Sequence, residues 1–221
     1  MRYLFRRSTR LVLACAAGIS IPAFAEAPAS FAGFEDPAAL DVRGRTLTIE
    51  KGTAYLDARE GDGVAWLRDA SFRDGRVSLE VRGSDLAGRS FVGIAFHASA
   101  DKNRYDVVYV RPFNFQATDP QRRAHSLQYM AMPDHDWQLL RQRFPGKFEA
   151  AIVPAPAPED WVRVTVEVRE GQARIFIGSE SSATLSVDLL NESGGDALGL
   201  WVGNNSEGEF RNLRIAPAPV N

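Results

Sequence analysis

Residues Trp161–Glu170 read WVRVTVEVRE. Val162, Val164, Val166 and Val168 take every second place, with Arg163, Thr165, Glu167 and Arg169 between them. Successive side chains of an extended chain point to opposite faces, so this is a strand with one apolar and one wet face. Arg76–Arg82, RVSLEVR, repeats the pattern with Val77, Leu79 and Val81 on one side. Each apolar face has to be covered by another layer, so the two segments together call for stacked sheets.

The same reading, carried outward, gives further strands at 46–50, 53–57, 64–67, 90–98, 104–111, 125–131, 172–178, 183–187, 197–203 and 209–215. Turn signals separate them at Asp74-Gly75, Glu170-Gly171, Gly194-Gly195 and Glu207-Gly208. No amphipathic helix of ordinary length emerges; short helical turns are expected near Asp119–Arg123 or Pro145–Glu149. Many short antiparallel strands without a propeller or solenoid repeat predict an all-β sandwich or barrel. The longest interruption, Arg111 to Trp161, ends in the stiff Pro154-Ala155-Pro156-Ala157-Pro158 run. The strands that follow read as part of the same sandwich, so one domain is expected over 26–221.

The N-terminus carries Arg2, Arg6, Arg7 and Arg10, then an apolar stretch from Leu11 that closes on Ala23-Phe24-Ala25. A basic start, a short apolar middle and a small-residue exit predict a secretory signal peptide over 1–25 and a periplasmic or secreted protein. Cys15 is the only cysteine and lies within it. The remainder therefore has no disulfide, zinc–thiolate site or cysteine nucleophile. The signal holds 4 of the 26 basic residues and none of the 28 acids, which leaves a net charge of −6. That balance argues against nucleic acid as a partner, and no later segment is apolar enough to span a membrane.

Alternation also selects a face for a ligand. In Ser90–His97, Val92, Ile94 and Phe96 form one row, and Phe91, Gly93, Ala95 and His97 the other. In Ala197–Gly203, Trp201 stands between Gly199 and Gly203, opposite Leu198, Leu200 and Val202. Small residues in mid-strand are expected to leave open space above the sheet, and a tryptophan there is a sugar-stacking platform. Tyr105, Val107, Tyr109 and Arg111 share that second face, as does Gln128. The candidate ligand-binding set is Phe91, Tyr109, Arg111, Gln128 and Trp201, with His97 beside them. Rings would cover the apolar faces of a polyhydroxylated ligand while the guanidinium and amide bond its hydroxyls.

His97, His125 and His135 are the only histidines, and each is a potential base or metal ligand. Asp134-His135-Asp136 offers oxygen and nitrogen donors, but adjacent residues rarely converge on one ion and Pro133 favours a surface turn. His125 follows Arg122-Arg123, whose charge would hold it neutral, as a base requires. No E-x-D-x-x-E run, G-x-S-x-G, H-E-x-x-H, P-loop or EF-hand loop is present. A standard two-carboxylate glycosidase is therefore disfavoured.

Six segments, taken in order, carry a resemblance: Phe91–Phe96, Tyr105 with Val108–Pro112, His125–Tyr129, Trp161–Val164, Gly199–Trp201 and Phe210–Ile215. The chain resembles the concanavalin A-like lectin/glucanase superfamily. Within it, the order is most similar to bacterial exported proteins of the 3-keto-disaccharide hydrolase domain type. The resemblance implies a two-sheet antiparallel jelly-roll sandwich with ligands on its concave face. It implies carbohydrate or glycoside binding, or cleavage of 3-keto-glycosides. In that chemistry the keto group acidifies the C2 proton and a base drives elimination, with a divalent metal as helper. His97 or His125 would be the base and Arg111 the polarising cation. Ser90-Phe91-Val92-Gly93 stands where many keto-glycoside members carry Asn-Ser-Gly. The expectation is thus a carbohydrate-binding protein; a 3-keto-glycoside hydrolase or lyase is the alternative, and a non-sugar interaction domain the third reading.

Overall fold

The computed structural model describes residues 33–191 and 194–218; the expected signal peptide lies outside them. The strands are β1 (Leu40–Arg43), β2 (Leu47–Glu50), β3 (Thr53–Leu56), β4 (Gly63–Ser71), β5 (Gly75–Arg82), β6 (Val92–Ala98) and β7 (Tyr105–Val110). They continue as β8 (Leu127–Met132), β9 (Glu149–Ala150), β10 (Val162–Arg169), β11 (Gln172–Ile177), β12 (Leu185–Asp188), β13 (Ala197–Val202) and β14 (Gly208–Pro217). Two antiparallel seven-stranded sheets result. The first runs β1-β4-β13-β6-β7-β8-β9 and the second β12-β11-β10-β5-β14-β3-β2. The chain is a two-sheet jelly-roll sandwich: alternation called for a sandwich or barrel, and the resemblance implied the jelly roll.

The core is the shared product of the two inner faces. Val77, Leu79 and Val81 of β5 pair in register with Val166, Val164 and Val162 of β10, and all six are buried. Facing them from the first sheet are Val92, Ile94 and Phe96, with Val108, Val110 and Leu127 beside them. β13 and β14 come last in the chain yet sit centrally, β13 between β4 and β6, β14 between β5 and β3. The last third of the sequence thus completes both layers.

The two sheets differ on their outer faces. Outer positions of β10 and β11 such as Arg163, Arg169 and Arg174 are exposed. In the first sheet every residue of β6 is buried, as is nearly all of β7, β8 and β13. The excursion between β7 and β10, which carries two short helices, α1 (Pro120–Ala124) and α2 (Trp137–Arg143), packs on the β8–β9 end of its outer face. α1 falls at the expected turn; Pro145–Lys147 is a turn without helix, and Glu149 already belongs to β9. α2 begins where Asp136 accepts from the Leu139 amide at 2.7 Å, an N-cap that satisfies an otherwise unpaired donor.

Candidate functional site

The outer face of the first sheet is built on two cross-strand rows. One reads Arg43, Val64, Trp201, Gly93, Tyr109, Gln128, Glu149 across all seven strands. The next reads Asp41, Trp66, Gly199, Ala95, Val107, Met130. Trp201 and Tyr109 flank Gly93, and their rings lean together over it to a centroid separation of 5.0 Å. The glycine does not leave a hollow, contrary to expectation. A Cβ on Gly93 would lie 2.1 Å from the Val108 carbonyl oxygen and 2.7 Å from Tyr109 Cβ. One on Gly199 would meet Trp66 Cε3 at 2.8 Å. The small residues make room for neighbouring rings, so Trp201 is only 3% exposed.

Open space lies above those rings. A cavity of about 180 Å³ is lined by Phe91, Tyr109, Trp201, Met130 and Trp137, with Asp62 and Asn204 also in its wall. A second, of about 340 Å³, is lined by Trp66, Tyr105, Lys102 and Asn103. Asp62 and Met132 belong to both, so the two form one groove across the sheet. The groove is aromatic below and polar along the edge, the composition of a small-ligand site. Trp137, on α2, is 39% exposed. It lies 5.0 Å from the Arg141 guanidinium and 5.8 Å from that of Arg111. It is the accessible ring of this groove, a role the sequence reading gave to Trp201.

Asp62 is exposed, yet the protein around it desolvates the carboxyl enough to raise its pKa, against the attraction of Arg45. Its loop is tied to the loop after β13, where Asn204 Oδ1 accepts from the Gly61 amide at 2.8 Å. Tyr105 is pushed up to about 12, by burial first and the Asp62 charge second. Its hydroxyl thus stays protonated and available as a donor. The buried Trp201 Nε1 faces the Tyr105 hydroxyl, and as a donor it opposes the rise in that group's pKa.

Arg111 and Gln128 lie beneath this surface and do not line the groove. Arg111 donates to the His125 carbonyl at 2.8 Å, to the Tyr109 hydroxyl at 2.6 Å, and to Gln128 Oε1 at 3.3 and 3.4 Å. Gln128 donates to the Tyr129 and Phe148 carbonyls. Phe91 sits at the groove edge, packed edge-on against Tyr109. The set expected to meet a ligand therefore splits: Phe91, Tyr109 and Trp201 line the groove, while Arg111 holds the Tyr109 hydroxyl and Gln128 holds Arg111.

The histidines separate as well. His125 Nε2 is 3.2 Å from Glu149 Oε1, and Glu149 is gripped by Arg141 through bonds of 3.1, 3.2 and 2.7 Å. Burial lowers the His125 pKa, with Arg141 and Arg111 adding to the effect and Glu149 opposing it. The neighbours responsible are thus distant in sequence and are not Arg122 or Arg123. His97 turns away from the face that alternation assigned to it. Its φ is 53°, which breaks the two-residue period next to an irregularity in the β6–β13 register. The ring lies instead at one end of the interlayer, 3.3 Å from Asp106 and 2.5 Å from the Arg73 carbonyl. Asp106, fully buried, also accepts from the Tyr129 hydroxyl at 2.6 Å, and burial raises its pKa.

The residues at 134–136 do not fit a divalent-metal site. Asp134 pairs with Arg104, Asp136 caps α2, and His135 is held by backbone bonds to Ala131. No cluster of three or more His, Cys, Asp or Glu occurs among the described residues. No helix there is long and apolar enough to cross a membrane.

Fold and groove together define a two-sheet jelly-roll β-sandwich with an aromatic-lined groove over its first sheet. No protein-family model matches the chain, and no curated protein matches it. Among solved structures it is similar to the carbohydrate binding module CBM66 from Bacillus subtilis, at 14% identity and a TM-score of 0.54 over 79% of this chain and 93% of that one. It is similar to the VIP36 exoplasmic/lumenal domain in its Ca2+/Man3GlcNAc-bound form, at 12% identity and a TM-score of 0.56 over 83% and 85%. A Bacillus subtilis protein of unknown function with a galectin-like fold matches at 12% identity and a TM-score of 0.52 over 81% and 89%. What is shared at such identities is the fold.

Proposed function

We propose that this chain is an exported carbohydrate-binding protein that takes a glycan in the groove over its first sheet. The observation that carries the reading is Trp137, an exposed ring at the mouth of an aromatic-lined groove whose edge bears Asp62. The C–H face of a sugar packs on such a ring, while a carboxylate and side-chain amides bond its hydroxyls. Arg141 beneath the ring fixes its orientation, which limits the entropy lost on binding. The fold shared with CBM66 and with VIP36, whose structure holds Man3GlcNAc, supports the same ligand class. The test is a glycan array with the intact protein and the Trp137→Ala variant. Loss of one stacking contact is expected to weaken the best binder about tenfold. Unchanged binding would remove the groove from consideration. Mass spectrometry of the exported protein tests cleavage after Ala25.

A second reading, hydrolysis or lysis of 3-keto-glycosides, is favoured by one feature. His125, held neutral and placed against Glu149 behind Trp137, has the protonation state a general base needs. The polarising role imagined for Arg111 has less support, since its donors are already engaged. Incubation with a 3-keto-glucoside, with and without divalent metal, tests the reading. Aglycone release that disappears in His125→Ala would establish it, and no release under either condition would end it.

A further inference from the structure

The outer face of the second sheet carries its own cross-strand row. Thr48, Tyr55, Glu209 and Arg82 stand side by side on β2, β3, β14 and β5. Trp161 directly precedes β10. Val162 points into the core, so parity puts Trp161 on the outside, beyond Arg82. The contacts agree, for the Arg82 guanidinium lies 4.7 Å from the Trp161 ring centroid and that of Arg211 lies 4.0 Å away. Strand spacing of about 4.8 Å puts Tyr55 and Trp161 roughly 14 Å apart, at either side of the row. Between and above them lies a groove of about 630 Å³, larger than either cavity on the first sheet.

A tryptophan on the wet side of a sheet costs apolar exposure, and this one is held firmly. Both guanidiniums beneath it are fixed by acids: Arg82 by Glu209, and Arg211 by Glu80 at 2.7 Å. Glu80 is itself braced by Arg163 at 3.2 Å and Asn212 at 3.0 Å. Tyr55 is likewise fixed, its hydroxyl donating to Glu207 at 2.9 Å. The ring remains half-buried and lines the groove. Two anchored aromatics with the Glu209–Arg82 pair between them, and the Thr48 and Thr53 hydroxyls at the Tyr55 end of the groove, suit an extended polyhydroxylated chain. The cations lining this groove, Lys51, Arg82 and Arg211, are matched by Glu50, Glu209 and Glu80, which favours an uncharged ligand over an acidic one.

We propose that this groove is a second glycan site, specific for a neutral oligosaccharide and centred on Trp161. It shares with the reading above only the class of ligand. Sites on opposite faces of one sandwich would let a single molecule bridge two polysaccharide chains, with the gain that linked sites bring.

The test uses the intact protein and an array of neutral and uronate-containing oligosaccharides, followed by calorimetry with the tightest neutral binder. Two binding events per chain are expected. Trp161→Ala should abolish one of them and Trp137→Ala the other. Thr48→Arg alters an exposed residue and fills the groove without touching the tryptophan; it should abolish the same event as Trp161→Ala. Should Trp161→Ala unfold the protein, Thr48→Arg decides. A single event, unchanged by Trp161→Ala and Thr48→Arg, overturns the second site and leaves the first. A single event lost in both of those variants and kept in Trp137→Ala supports the second site and overturns the first. Preference for uronates, or no binding at all, overturns the proposal.

Discussion

Single side chains set the electrostatics of the groove. Asp62 has a carboxyl whose pKa is raised above the ordinary 3.8 by desolvation although the residue is exposed, and in the proposed glycan site it accepts from sugar hydroxyls as a carboxylate. Affinity should therefore begin to fall, as pH is lowered, above that ordinary value, and Asp62→Asn should flatten the dependence while weakening binding at neutral pH. Titration calorimetry across a pH series checks this. The same group acts on stability with the opposite sign. A pKa raised in the folded state means stability present below 3.8 and lost as pH rises through the folded value. Acidification should thus favour the Asp62 contribution to folding while removing its contribution to binding. Arg111 is structural by the same kind of argument. It is 4% exposed, and it is the donor for Tyr109, Gln128 and the His125 carbonyl. Arg111→Met leaves the Tyr109 hydroxyl and Gln128 Oε1 without that donor, while Asn114 still donates to the His125 carbonyl, and should cost about 1–3 kcal/mol in urea denaturation.

At the scale of elements, Gly93 decides how β6 and β7 meet. Trp201 and Tyr109 approach across it from the strands on either side, and an added methyl would strike the β7 backbone. Gly93→Ala should destabilise the fold by about 1–3 kcal/mol, as overpacking does. It should also disturb the Tyr109–Trp201 pair, which near-ultraviolet circular dichroism would report. The strands of the second sheet were legible because one face is wet and the other dry. β6 was legible as a strand but not as a surface, since both of its faces are covered. β1 is a four-residue edge strand, too short to show a period. α2 went unread because seven residues show under two turns of helical pattern; its Asp136 cap was the one local sign.

The whole molecule places the groove. Asp62, Trp137 and Asn204 lie far apart in sequence, and the jelly-roll order brings β4, β13 and the excursion after β7 to one face. Because Asp134 is engaged by Arg104 and Asp136 by the α2 amide, the carboxylates nearest α2 are not free for an ion, and EDTA is expected to leave glycan affinity within about twofold. Calorimetry before and after chelation checks this, and abolition of binding would show that an ion is held by other groups. The two-layer architecture and much of the core were written locally, in the period-two valines of 162–168 and 77–81, because burial of one strand face is a nearest-neighbour property. The identity of the side chains that meet in the groove was not. His97 left its expected face through one positive φ, and Arg111 and Gln128 sank beneath Tyr109. Trp137 was exposed by a helix built outside the sheet. Strand parity tells which way a residue points, but only packing decides what covers it.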